Sequence, residues 1–62
     1  MKKRDLERML RALGWHFLRQ GGNHEIWTNG ADTEAIPRHS EINETTAKAI
    51  LKRVRNRPPQ PE

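Results

Sequence analysis

Three scarcities limit what this chain of 62 residues can be. It contains no cysteine, which excludes disulfides and a zinc site built on thiolates. No apolar run approaches the length of a membrane span or a signal peptide, so we expect a cytoplasmic protein without a membrane partner. Apolar residues make up only 32% of the chain and the mean hydropathy is -1.08, so the core must be thin. A domain of this size is marginally stable alone, which favours a partner that covers one face.

The most informative property of the composition is its positive charge. Twelve Lys and Arg against eight Asp and Glu give a net charge of +4. A small basic domain most commonly binds nucleic acid, although an acidic protein would suit the same charge. The charge alone does not decide between these two partners.

Two segments have the periodicity of amphipathic helices. The first is predicted from Lys3 to Leu13, with Gly14 as the stop signal, and the second from Asn43 to Arg55, with Asn43 as the N-cap. Each segment places four apolar residues on one face: Leu6, Met9, Leu10 and Leu13 in the first, and Ala47, Ile50, Leu51 and Val54 in the second.

Three short strands are predicted between the helices, at Trp15 to Gln20, Glu25 to Thr28 and Thr33 to Ile36. Tight turns join them, so they form an antiparallel meander. The order helix, three strands, helix is that of an α+β double-stranded-RNA-binding-like domain, in which two helices cover a three-stranded sheet. We therefore predict one domain over residues 1–55 and a flexible, proline-rich tail over residues 56–62.

The turn before His24 is the most informative stretch. Gly21, Gly22 and Asn23 favour a tight reversal, and strand residues flank them on both sides. His24 would then be held by rigid backbone where the turn leads into the second strand. An imidazole titrates near neutral pH, so a positioned one can take and return protons. The alternative is a surface loop that happens to contain a histidine.

Other residues are weaker candidates. Arg38 and His39 follow a strand end fixed by Pro37 and are able to hold a phosphate, or they belong to a basic loop before the second helix. The three histidines lack the spacing of a known metal motif, so we predict neither a metal nor another cofactor. Trp15 and Trp27 could stack on bases. Because the chain has few apolar residues, we interpret both as core or partner contacts.

Four pieces of the sequence, in this order, resemble the HicA toxin family over about residues 3–54. They are a basic amphipathic helix ending in Leu-Gly-aromatic, the turn Arg19-Gln20-Gly21-Gly22-Asn23-His24, the segment Ile36-Pro37-Arg38-His39, and the helix core Lys48-Ala49-Ile50-Leu51-Lys52. The chain departs from the family pattern at Asn23, where many members have serine, at a short segment after His39, and at Glu44-Thr45, where Gly-Thr is common.

The resemblance implies an mRNA interferase of a toxin–antitoxin system, with His24 in the position of the family's catalytic histidine and a HicB-like antitoxin covering the site. In such an enzyme a base removes the proton of the RNA 2′-OH, and no metal is required. The candidate RNA-binding residues are Arg19, Asn23, Arg38, His39, Lys48 and Lys52. Two alternatives stay open: a non-catalytic RNA- or DNA-binding module of the same fold, and a domain whose main task is to bind an acidic protein.

Overall fold

The computed structural model describes residues 1–57, and the segment 58–62 lies outside the described residues. The elements in chain order are α1 (Lys3–Ala12), β1 (His16–Gly21), β2 (His24–Thr28), β3 (Thr33–Pro37) and α2 (Glu44–Arg55). The three strands form one antiparallel sheet in the order β1-β2-β3. This confirms the predicted α-β-β-β-α fold.

Both helices begin and end close to where local sequence signals place them. In α1 the last helical residue is Ala12, Leu13 is the C-cap, and Gly14 follows with a φ of +88°, the left-handed conformation that ends many helices. In α2 the side chain of Asn43 accepts a hydrogen bond of 2.8 Å from the Thr45 N–H, which is the N-cap contact. The first helix therefore ends one residue earlier than predicted, while the Asn43 cap is confirmed.

The first strand differs most from the prediction. Trp15 precedes β1 rather than opening it, because its N–H donates to the Leu10 carbonyl at 2.9 Å and its indole is buried. Phe17 lies on the edge strand, 46% exposed, and meets the Trp27 ring edge-on at 6.5 Å between centroids. The register then shifts between Phe17 and Arg19, as at a β-bulge, so strict alternation does not describe this strand.

The two helices pack on one face of the sheet. Three contacts define that face: Lys3 with Glu25 at 3.0 Å, the Arg11 guanidinium over Trp27 at 5.2 Å, and Arg53 with Glu34 at 2.9 Å. Beneath the helices lies one apolar core: Leu6, Leu10, Trp15, Trp27, Ile36, Ile42, Ala47, Ile50, Leu51 and Val54.

The opposite side of the sheet, which we term the open face, carries no helix from the described part of the chain. It comprises the residues that share the register of His24: His16, Arg19, Gly21, His24, Ile26, Thr28, Thr33, Ala35 and Pro37. All of them except the buried Thr28 are exposed or half-buried. Alternation along β2 therefore puts His24 and Ile26 on the open face and Glu25 and Trp27 on the helix face.

The chain beyond α2 contacts the sheet as far as the structure describes it. Arg57 pairs with Glu34, its guanidinium lies 5.6 Å from the Trp15 ring, and its carbonyl accepts from the Asn29 side chain at 2.8 Å. The rest of the tail predicted to be flexible, residues 58–62, falls outside the described residues. Neither helix between residues 1 and 57 combines the length and apolar character that crossing a membrane requires.

Candidate nucleic-acid interface and active site

The hairpin turn between β1 and β2 is as tight as a two-residue loop allows. Gly21 pairs with His24, which leaves only Gly22 and Asn23 in the loop. Gly22 has a φ of +64° and Asn23 a negative φ, which is the φ pattern of a type II′ turn. Gly21 serves a second purpose, since a Cβ there would approach Cγ1 of Ile26 to 3.0 Å. Gly22 thus permits the chain reversal, and Gly21 leaves space for the Ile26 side chain.

His24 is the first residue of the central strand, and the sheet fixes its backbone from both sides. Its Cα lies opposite Gly21 of β1 and opposite Pro37 of β3. The side chain is exposed on the open face. Within residues 1–57 no side chain hydrogen bonds to the imidazole or pairs with it. The exposed ring therefore stands on backbone that the sheet holds from both sides.

Two side chains hold the turn at a single carbonyl. Gln20 Nε2 donates to the Gly22 oxygen at 3.2 Å, and Arg38 Nη1 donates to the same oxygen at 3.5 Å. Arg38 reaches the turn because it follows Pro37, the β3 partner of His24. No role for Gln20 is predicted from the sequence. Its position directly before Gly21 and Gly22 was the local feature that could have indicated a contact with the turn.

The structure brings together only part of the predicted RNA-binding set. Arg19 shares the open face with His24, Asn23 lies in the loop beside it, and Arg38 contacts the turn. His39 is exposed and follows Arg38 in the chain. Lys48 and Lys52 lie elsewhere, on the solvent side of α2, which packs on the other face of the sheet. Their role in binding RNA stays a prediction.

The three histidines do not form a cluster. His16 pairs with Thr28, at the far end of β2 from His24, which corresponds to about 13 Å of extended strand. Over residues 1–57, no group of three His, Cys, Asp or Glu side chains is arranged to hold a metal ion. His16 is nevertheless useful, because it is a second exposed histidine on the same face as His24.

A polar network lies on the helix face directly behind His24. Lys3 Nζ pairs with Glu7 at 2.8 Å and with Glu25 at 3.0 Å, and Glu25 also accepts from the Trp27 indole at 3.1 Å. Burial opposes the charge on Glu25, but the hydrogen bonds from Trp27 and Lys3 and the nearby cations outweigh it, so the pKa of Glu25 is lowered. The network anchors the start of β2 to α1, a contact that no local sequence signal announces.

An open cleft of about 510 Å³ lies beside this network, between the start of α1 and the end of β3. Its lining carries four cationic side chains and two carboxylates, together with one hydroxyl: Lys2, Lys3, Arg4, Arg38, Glu7, Glu25 and Ser40. The Lys3 N–H donates to the Ser40 carbonyl at 2.9 Å, which joins the two walls. The cleft and His24 therefore flank the same hairpin turn, on opposite faces of the sheet.

Both tryptophans belong to the interior. Trp15 and Trp27 are 1% and 0% exposed, and an arginine guanidinium lies over each ring. The interpretation of both as core residues is confirmed, so stacking of bases on them is not part of the site.

Comparison with models of known protein families gives a match over most of the chain. A family model described as the HicA toxin of bacterial toxin–antitoxin matches residues 4–55, which covers every helix and strand except the first residue of α1. Neither a search of curated proteins nor a search of solved structures found a significant match.

Proposed function

The chain belongs to the HicA toxin family, and we propose on that premise that it is an endoribonuclease that cleaves mRNA with His24 as its catalytic residue. The observation that carries the proposal is the placement of His24. Its backbone is fixed between two strands and a two-residue turn, while its imidazole is exposed on the one sheet face that the helices leave open. A surface loop would not hold the ring in this way.

The reaction needs a base, an acid and charge neutralisation. In its neutral form the His24 imidazole accepts the proton of an RNA 2′-OH. The 2′ oxygen then attacks the adjacent phosphorus, the bond to the 5′ oxygen breaks, and that oxygen takes up a proton from water, while the His24 imidazolium returns its proton to the solvent. The products are a strand ending in a 2′,3′-cyclic phosphate and a strand beginning with a 5′-OH. Because RNA supplies the nucleophile, DNA cannot follow this route.

Arginines near His24 suit the charge that develops on the phosphate. Arg19 lies on the same face, one strand away, and Arg38 is held against the turn by its contact with the Gly22 carbonyl. A guanidinium presents a planar fork of donors that matches two phosphate oxygens, and its charge persists throughout the reaction. We assign the stabilisation of the transition state to Arg19, which shares the face of His24, and the support of the turn to Arg38, which lines the cleft on the other face.

The test is cleavage of a single-stranded RNA in the presence of a chelator. We expect the wild-type chain to cut the RNA and leave intact a DNA of the same sequence. His24→Ala should lower the rate by about 10²- to 10⁴-fold, the usual contribution of one general acid or base. Product ends identify the route, since a 2′,3′-cyclic phosphate requires the 2′-OH as nucleophile.

The matched control is His16→Ala, because His16 is also exposed on the open face but lies at the other end of the sheet. This variant should cleave at the wild-type rate. Equal cleavage by wild type and His24→Ala would remove His24 from the mechanism. Salt-sensitive binding of RNA without any cleavage would instead favour the non-catalytic binding module.

We further propose that a HicB-like antitoxin inhibits the chain by covering the open face. The support is that this face carries Arg19, His24 and Ile26 without a cover from residues 1–57. Acidic groups of such a partner would meet the basic net charge of the chain. A covered open face would exclude RNA from His24, so binding and inhibition would be one event.

A further inference from the structure

We infer that the cleft between the start of α1 and the end of β3 binds a backbone phosphate of the same single-stranded RNA whose 2′-OH lies at His24. This inference rests on the proposed function and extends it by a second binding point on the helix face. The residues that carry it are Lys2 and Arg4, with Arg38 as the link to the turn.

The first argument is the charge that the cleft leaves unpaired. Both lining carboxylates, Glu7 and Glu25, pair with Lys3, so their negative charge offsets that of this lysine and not that of the other lining cations. Among residues 1–57, Lys2 and Arg4 have no carboxylate partner, and both are exposed. The cleft therefore presents cations whose charge is not neutralised inside the domain, as an anion site requires.

The second argument is that backbone contacts fix the walls of the cleft relative to each other. The Lys3 N–H bonds to the Ser40 carbonyl, and Lys2 forms a β-bridge with Glu41. These contacts fix the start of α1 against the segment between β3 and α2. The lining cations thus come from two chain segments that backbone hydrogen bonds hold at a constant separation, which lowers the entropy lost when an anion binds.

The third argument concerns the path between the two binding points. His24 and Glu25 are consecutive residues on opposite faces, so the active site and the cleft lie on either side of the sheet at the β1–β2 turn. A bound strand must bend round this turn to reach both. A single strand can do so, whereas an A-form duplex is too stiff for so sharp a bend. The two binding points therefore fit a single strand and not a duplex.

The experiment measures binding without cleavage, using a single-stranded RNA that is 2′-O-methylated throughout. Lys2→Gln/Arg4→Gln is compared with the wild type in a salt titration. We expect about 5- to 10-fold weaker binding at low salt, and a salt slope that is shallower by about 0.7 for each phosphate the variant no longer neutralises. With cleavable RNA, the double variant should raise KM and leave kcat unchanged.

The matched control is Arg8→Gln/Arg55→Gln, which removes the same charge from exposed positions on the two helices outside the cleft. It should weaken binding less than twofold. An equal weakening in both double variants would overturn the inference, because net charge alone would then explain it. An equal weakening for single strand and duplex would overturn the bent-strand geometry.

These outcomes are separable from those of the proposed function. Abolished cleavage in His24→Ala with unchanged binding in Lys2→Gln/Arg4→Gln would overturn the cleft and leave the nuclease intact. Weaker binding in the double variant, in a chain that cleaves no RNA, would support the cleft as a phosphate site and overturn the nuclease.

Discussion

Neighbouring residues of β2 have opposite environments, and this contrast explains their different roles. His24 is exposed on the open face, where its imidazole is accessible to a bound molecule. Glu25 is turned to the helix face, 18% exposed in its side chain, and accepts from Lys3 and Trp27. His24 is thus exposed where the proposed chemistry needs it, and Glu25 fixes the start of β2 by joining it to α1.

The stability of the domain should depend on pH through Glu25. Its folded-state pKa lies below the ordinary value of 4.5, so its contribution is complete above that value and is lost as pH falls through the folded pKa. We expect Glu25→Gln to lower the free energy of unfolding by about 1 kcal/mol at pH 7. The difference from wild type should close below pH 4.5, as measured by urea unfolding across pH.

The control for this prediction is Glu44→Gln, because Glu44 is 69% exposed and its distance to Lys48 is long, at 3.9 Å. An exposed pair of this kind contributes little to stability. The destabilisation in Glu44→Gln should be smaller than in Glu25→Gln at pH 7. A destabilisation in Glu25→Gln that persisted undiminished at about pH 3 would contradict the assignment to the charged carboxylate.

Among the elements, the β1–β2 hairpin carries the candidate site and the β2–β3 hairpin does not. Both turns use a glycine with positive φ, +64° at Gly22 and +99° at Gly30. At either position an added Cβ would meet no atom within 4 Å, so substitution strains the backbone without a steric clash. The two glycines therefore form a matched pair with which to separate stability from activity.

We expect Gly22→Ala and Gly30→Ala each to lower the free energy of unfolding by about 1–2 kcal/mol, the cost of a positive φ for a residue with a Cβ. Thermal unfolding measures this change. At a temperature where both variants are folded, only Gly22→Ala should cleave RNA more slowly, roughly tenfold or more, because a shifted turn displaces the His24 ring. Equal activity in the two variants would show that the turn does not position the histidine.

At the scale of the whole molecule, the layer arrangement decides what a partner can cover. Two helices occupy one face of a three-stranded sheet, and the described part of the chain puts no helix on the other. A thin two-layer domain of this size has little stability in reserve. A partner on the open face would bury the side of the sheet that no helix covers. It would cover His24 at the same time.

We expect expression of the chain alone to arrest bacterial growth and co-expression of its cognate antitoxin to restore it. His24→Ala should not arrest growth, yet it should still bind the antitoxin, because the imidazole is a small part of the face. Growth curves and co-purification measure the two outcomes. Growth arrest by His24→Ala at the same expression level would place the toxicity outside the proposed mechanism.

Local sequence patterns were sufficient to predict the order of elements, the helix caps at Gly14 and Asn43, and the turn before His24. Helix periodicity, capping and turn chemistry depend on residues within a few positions of each other, so they are readable along the chain. The candidate histidine and the loop around it were predicted for the same reason. The structure confirms the fold that these signals describe.

Only tertiary packing decided which face each residue occupies. The register of β1 shifts after Phe17, and Trp15 lies outside the strand. These two features decide which side chains of the first strand face the helices, and neither has a local sequence signal. The joining of Lys3 to Glu25 likewise depends on how α1 crosses the sheet. The packing of α2 on the helix face separated Lys48 and Lys52 from His24, and the crossing of α1 brought its basic start beside Arg38, because the proximity of distant segments is set by packing and not by sequence spacing.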